Sequence, residues 1–229
     1  MGDGTLRVLT WNVRNHLGDP LAVHRVLRGA RPDVACLQEV TRWPFSRHRL
    51  ASLGRACGLR LVCGGRASAG GALLVGARPG CRGASATRLD VRGLFTRPRG
   101  LASVLVALPG TEPVWVASVH LGLNEAERAM PVAAILAAAP SGPAVVAGDL
   151  NEPPGGPSWV ALATRFADAG AGSGPTFPAA HPRTRIDAVL ADPGLEVVAA
   201  GWPDGVDERD VAAASDHLPL LVTLRLRVS

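Results

Sequence analysis

The chain has no lysine and no tyrosine: all 24 basic residues are arginine, and aromatics make up 4% of 229 residues. So few aromatics leave no broad surface for stacking bases. No apolar run approaches the roughly 20 residues needed to cross a bilayer. Met1-Gly-Asp-Gly-Thr5 runs straight into strand-like sequence, with no secretory signal between. The four cysteines, Cys36, Cys57, Cys63 and Cys81, include no C-x-x-C pair, which argues against zinc. Cys36 reads as a small core residue, and a Cys57–Cys63 bridge is conceivable by spacing alone. The expectation is a soluble, cytoplasmic, monomeric protein with reduced thiols and no transmembrane segment. Repeats, long linkers and low-complexity tails are also missing.

What is present supports one substantial core. Hydrophobic residues make up 47% of the chain, and its length predicts a single domain over residues 1–229. The net charge of +5 carries little weight for a nucleic-acid partner, because an all-arginine basic set beside abundant Ala, Gly and Pro reflects coding bias. Its distribution says more. Residues 1–100 hold 17 arginines against 5 acids, and residues 101–229 hold 7 against 14. An arginine-rich half that can meet phosphate faces an acidic half that can hold a cation.

Taken along the chain, Leu6–Asn12 predicts a strand, Leu21–Arg28 a helix stopping at Gly29, and Val34–Glu39 a second strand. Arg47–Gly58 predicts a helix and Leu59–Cys63 a short strand. A glycine-rich loop over 64–71 and the strand Ala72–Gly76 follow. Arg82–Val91, Gly100–Leu108 and Val114–Leu121 read as a meander. Asn124–Ala139 is a helix with Asn124 as its cap and a break or late start implied by Pro131. Ala144–Asn151 is a buried strand, Gly155–Ala167 a helix, and Thr184–Leu190, Leu195–Gly201 and Leu218–Leu226 are strands.

The strand ends share a polar chemistry. Asn12, Glu39, His120, Asp149, Asn151, Asp187, Asp216 and His217 all close or open predicted strands. Alternating strands and helices gather such ends at one edge, where ligands bind. Within Ala144–Asn151, Gly148 fits a close approach, and Asp149 and Asn151 share one side. Glu39 and Asp216 are hard oxygen donors suited to Mg²⁺, with Mn²⁺ as a substitute, and Asn12 and Asn151 add neutral amides to ion or phosphate. Asp187 can hold the His217 ring while His217 donates to phosphate. Asp149 is then the base for an attacking water or a ligand of a second metal. His120, Arg14 and Arg185 brace the phosphate, Arg14 sharing the side of Asn12 if the strand stays extended. Each residue taken singly also fits a turn or a solvated terminus.

In order, Trp11-Asn12-Val13-Arg14, Leu37-Gln38-Glu39, Val119-His120-Leu121, Gly148-Asp149-Leu150-Asn151, Arg185-Ile186-Asp187 and Ser215-Asp216-His217-Leu218-Pro219 resemble the endonuclease/exonuclease/phosphatase superfamily, the fold of deoxyribonuclease I. The resemblance runs from residue 6 to about 226. It implies a four-layer α/β/β/α sandwich of two packed, mostly antiparallel mixed sheets with helices outside. It also implies divalent-metal hydrolysis of phosphoesters, with Glu39 and Asp216 for the metal, Asp149 and Asn151 for water and phosphate, and Asp187–His217 for the phosphoryl group. Abasic-site endonucleases of the superfamily carry a tyrosine near the phosphate and an acid where Arg14 stands. The chain therefore leans toward the deoxyribonuclease I and small-phosphodiesterase branches. The expected function is a Mg²⁺-dependent phosphodiesterase, with a DNA or RNA nuclease as the alternative and a non-catalytic binding protein of the same fold as a third reading.

Overall fold

The computed structural model describes residues 4–40, 46–91 and 96–227. One six-stranded sheet runs in spatial order β11 (Glu196–Gly201), β12 (Leu220–Arg225), β1 (Thr5–Asn12), β2 (Val34–Gln38), β4 (Ala72–Val75) and β3 (Arg60–Gly64). The other runs β5 (Gly80–Leu89), β6 (Arg99–Ala107), β7 (Val114–His120), β8 (Ala144–Asp149), β10 (Asp187–Ala191) and β9 (Ala167–Asp168). Each is antiparallel except at one pair: β1 with β2, and β7 with β8. A parallel pair needs a crossover. Helix α1 (Pro20–Ala30) supplies the first and α3 (Glu125–Ala138) the second.

The central strands of each sheet are covered on both faces and almost continuously apolar, whereas the edge strands β5 and β11 are largely exposed. Along β1, Leu6 and Val8 face the second sheet and share a core with Val116, Val145 and Val189, while Leu9 and Trp11 face helices. On that outer face they meet Val23 and Val26 of α1, Leu50 and Leu53 of α2 (Ser46–Ala56), and Val211 of α5 (Glu208–Ala214). Val119 and Val146 pack on Val132 and Ile135 of α3, and on Trp159 and Leu162 of α4 (Pro157–Leu162). The layers are helix, sheet, sheet, helix, as the resemblance implied.

Several boundaries differ from those the sequence predicts, each for a local reason. Helix α1 passes through Gly29, where a Cβ would lie 2.4 Å from the Gly205 carbonyl oxygen, and ends when Arg31 turns left-handed before Pro32. Gly29 thus serves close packing rather than termination. Asn124 stands at the start of α3 but caps no backbone amide; its side chain donates to Glu127 Oε1 at 3.1 Å. Pro131 lies within α3 without ending it. The helix expected over Gly155–Ala167 spans only Pro157–Leu162, because the chain then turns into β9 to pair with β10. Thr184 makes an isolated bridge to Phe177, so the strand begins at Asp187. All four cysteines are free thiols. Among the described residues, no helix is long and apolar enough to cross a membrane.

Candidate active site

Register brings the polar strand ends together. In the two parallel pairs Asn12 lies opposite Gln38 and His120 opposite Asp149, and antiparallel β10 sets Asp187 opposite Asp149. Gly148 lets β7 and β8 close up at this edge: a Cβ there would sit 2.0 Å from the Val119 carbonyl oxygen. The two sheets meet at Asn12, whose Nδ2 donates to Glu39 Oε1 at 3.2 Å and to Asp149 Oδ2 at 3.0 Å. Its Oδ1 accepts the Arg14 amide, and Asn15 Nδ2 donates to Glu39 Oε2 at 2.8 Å. Gln38 lies buried between the sheets and donates to Ser118 Oγ. That bond fastens β2 to β7 directly behind the site.

Asp149 is almost fully buried, with Oδ1 accepting the Asn151 amide at 2.9 Å. Asn151 adopts φ of +51° and Glu39 φ of +53°, a left-handed backbone that asparagine tolerates and glutamate rarely adopts. Such strain at two candidate residues is held by the surrounding hydrogen bonds. Asn151 Nδ2 donates to the Leu121 carbonyl, tying the end of β8 to that of β7.

His217 Nδ1 lies 2.9 Å from Asp187 Oδ2, and its Nε2 lies 3.8 Å from Asp149 Oδ2. The ring packs on Phe177 with centroids 4.9 Å apart. The backbone beneath is pinned to β1: Ser215 Oγ donates to the Asn12 carbonyl, and Trp11 Nε1 to the His217 carbonyl. Burial pulls the imidazole's pKa down, but Asp187, Asp149 and Asp216 outweigh it and hold it at about 9. His120, 3.5 Å from Asp149, behaves oppositely. Burial pushes it down to about 4, Asp149 opposes, and Arg99, His217 and Arg97 add to the fall. Burial raises the Asp149 carboxyl above its usual range; His120 opposes the rise and Asp187 adds to it.

These groups surround a cavity of about 240 Å³ whose walls include Glu39, Arg99, His120, Asp149, Asn151 and His217. A cavity of similar size between α3 and α4 is apolar apart from Glu125, Arg128 and Ser158 and carries none of the candidate groups. Ligand atoms of Asp149, Asp187 and His217 lie within 4.8 Å of one another. Of the predicted metal pair, Glu39 lines the cavity and accepts from Asn12, whereas Asp216 is not among the residues lining it. Asp216 is 38% exposed and lies 3.4 Å from Arg14 Nε.

The two predicted phosphate-bracing arginines are not among the lining residues. At Arg14 the extension fails: its φ is +47° in a 3₁₀ turn, and its side chain pairs with Asp216. Arg185 pairs with Asp168 and lies over the Trp159 ring, 4.8 Å from its centroid. The lining arginines are Arg97 and Arg99. Sequence reasoning missed both, although Arg97-Pro98-Arg99 immediately precedes a predicted strand. Behind the loops, buried Arg128 bonds the Gly122 and Leu123 carbonyls and pairs with Glu152, which also accepts the Ser158 amide.

The endonuclease/exonuclease/phosphatase family model matches residues 9–217 of the chain. The chain belongs to that family. Endonuclease/exonuclease/phosphatase proteins are hydrolases of phosphoesters. A family structure from Beutenbergia cavernae is similar at 26% identity and a TM-score of 0.76, covering 97% of this chain and 72% of that one. The mannosyl-6-phosphatase of Bacteroides thetaiotaomicron shares 20% identity and a TM-score of 0.74, with 96% and 99% covered. The human Nocturnin catalytic domain shares 18% and 0.71, with 97% and 95% covered. These two share the fold. No curated protein matches the chain.

Proposed function

We propose that this member of the endonuclease/exonuclease/phosphatase family is a Mg²⁺-dependent phosphodiesterase of the cytoplasm, with Mn²⁺ as a substitute ion. The observation that carries the reading is Asn12 bridging Glu39 of one sheet to Asp149 of the other, beside the buried Asp187–His217 pair. The core shared by both sheets supports reading residues 1–229 as one domain.

The donor set fits a hard divalent cation. Glu39 and Asp149 line one cavity with the amide of Asn151, Asn12 bridges them, and Asp187 Oδ1 is buried without a hydrogen-bond partner among the described residues. In this reading Glu39, Asp216 and Asn12 hold the ion, which when bound supplies Lewis-acid polarisation and charge neutralisation. Asp149 takes the proton of the attacking water; its raised proton affinity suits a base, and its orientation is fixed by Asn151 and Asn12. His217, charged at neutral pH and locked through Nδ1 by Asp187, presents Nε2–H to a phosphoryl oxygen as negative charge develops there. His120 stays neutral and with Asn151 braces the phosphoryl group by hydrogen bonds.

A panel of phosphodiesters and phosphomonoesters with Mg²⁺, Mn²⁺ and chelator tests the reading. Glu39→Ala and Asp149→Ala should each lower turnover by about 10²–10⁴-fold or more with the fold intact by circular dichroism. Full activity in a clean Asp149→Ala preparation would end the assignment. A nuclease using the same groups is the second reading, favoured by Arg97 and Arg99 at the cavity. Plasmid nicking in Mg²⁺ that weakens steeply with salt would support it, since each neutralised phosphate releases counterions.

A further inference from the structure

Arg97 and Arg99 stand where no step above needs them. Both line the cavity that holds Asp149 and His217, and both line a smaller polar cavity beside it. The two cavities share a wall of Glu39, Arg97, Arg99 and His120. The first can take the reacting phosphoryl group, and the second opens on the arginine side of it.

The pair is built to be rigid. Proline fixes its own φ and favours extended backbone in the residue before it, which restricts the segment leading into β6 at Arg99. The next residue, Gly100, is pressed against the Gly65–Ser68 turn: a Cβ there would meet the Ser68 carbonyl at 2.3 Å. That contact seats the start of β6 and the arginines ahead of it. Arg99 is 6% exposed, and its buried Nε has no hydrogen-bond partner among the described residues. Asp149, Glu127 and Glu39 already offset part of the cost of burying Arg99 beside Arg97, and a phosphate is a further anion that the two guanidinium groups can meet. The terminal nitrogens of Arg128 bond Glu152 and loop carbonyls and those of Arg185 bond Asp168, although Arg128 Nε, like that of Arg99, has no partner among the described residues. Arg99 lines both cavities, and a guanidinium fork matches phosphate oxygens.

The geometry points to a second phosphate subsite formed by Arg97 and Arg99, so that the substrate carries an uncleaved phosphoryl group next to the one hydrolysed. The inference rests on the phosphoesterase reading for its reacting group. The class comprises short oligonucleotides with a terminal or neighbouring phosphate and small bisphosphates. A lone diester such as bis(p-nitrophenyl) phosphate leaves the subsite empty.

The test compares pairs differing by one phosphate: the thymidine dinucleotides pTpT and TpT, and fructose 1,6-bisphosphate and fructose 6-phosphate, all in Mg²⁺. In whichever pair is hydrolysed, the doubly phosphorylated member should have kcat/KM higher by about 10–100-fold, the range of one or two charge-assisted contacts. Arg97→Ala and Arg99→Lys should shrink that ratio toward one, and Arg99→Lys keeps the charge should Arg99→Ala fail to fold. A ratio near one in the wild type, or a fall that is equal for both members in the variants, overturns the subsite. If neither pair is hydrolysed, the phosphoesterase reading suffers, and binding still decides the subsite. Calorimetry on Asp149→Ala in Mg²⁺ should show pTpT binding more tightly than TpT, and equal affinities overturn it. The pair that responds distinguishes a nucleotide source of the second phosphate from a sugar one.

Discussion

Asn12 donates its one amide group to two carboxylates on different sheets, and two histidines a few ångströms further on hold opposite charge states. The difference is set by neighbours. His217 has Asp187 at 2.9 Å, whereas His120 has Asp149 at 3.5 Å and two arginines besides. This makes metal-free stability depend on pH with a known sign. A histidine held at about 9 stabilises the fold fully below its unfolded value of roughly 6.5 and loses that contribution as pH rises from there through 9. A histidine held at about 4 is disfavoured as pH falls from roughly 6.5 through 4, because only the unfolded chain then takes the proton. Urea unfolding of chelator-treated protein should therefore show stability declining on both flanks. His217→Gln should flatten the alkaline flank, and His120→Gln the acid one. An alkaline flank as steep in His217→Gln as in the wild type would contradict the charge assigned to His217.

At the scale of elements, the loops after β7 and β8 are held from behind by α3 and α4. Arg128 grips the first loop through two carbonyls, and its partner Glu152 holds the second and the start of α4. Breaking a buried ion pair from one side leaves a bare charge inside. Arg128→Ala should cost about 3–5 kcal/mol in chemical denaturation, and the double variant with Glu152→Ala should cost less than that single one. The positions of Asp149 at the end of β8 and Asn151 in the second loop also predict a fall in turnover. Most elements were legible in the sequence because their apolar periodicity was strong, as in β1, β8 and α1. Helix α5 was not, though Asp207 caps it and Glu208 and Asp210 fill its first turn. Within it only Val211 and Ala214 are buried, too few to show a period. The candidate site was legible as residue types at strand ends, since parallel register needs only that strands finish together. Side-chain direction was not: Arg14 and Arg185 found acids closer by, and Arg97-Pro98-Arg99 carried no pattern that separates a cavity wall from a solvated loop.

Across the whole molecule, each sheet contributes three of the candidate groups. The first brings Asn12, Glu39 and His217, and the second His120, Asp149 and Asp187, so a ligand spanning them also clamps the sandwich. A ligand that binds only the folded state stabilises it by mass action, about 2.7 kcal/mol at 100 times its Kd. Mg²⁺ should therefore raise Tm in a concentration-dependent way, chelator should reverse it, and Glu39→Ala should weaken the response. An unchanged Tm across millimolar Mg²⁺ would count against a cation held between the sheets.

The bond from Ser215 to Asn12 joins residues 203 positions apart. During synthesis, Asn12 and Glu39 emerge from the ribosome well before the imidazole beside their cavity, which follows only after β10. A chain cut short before His217 should thus lack the proposed site, whatever its earlier elements have built.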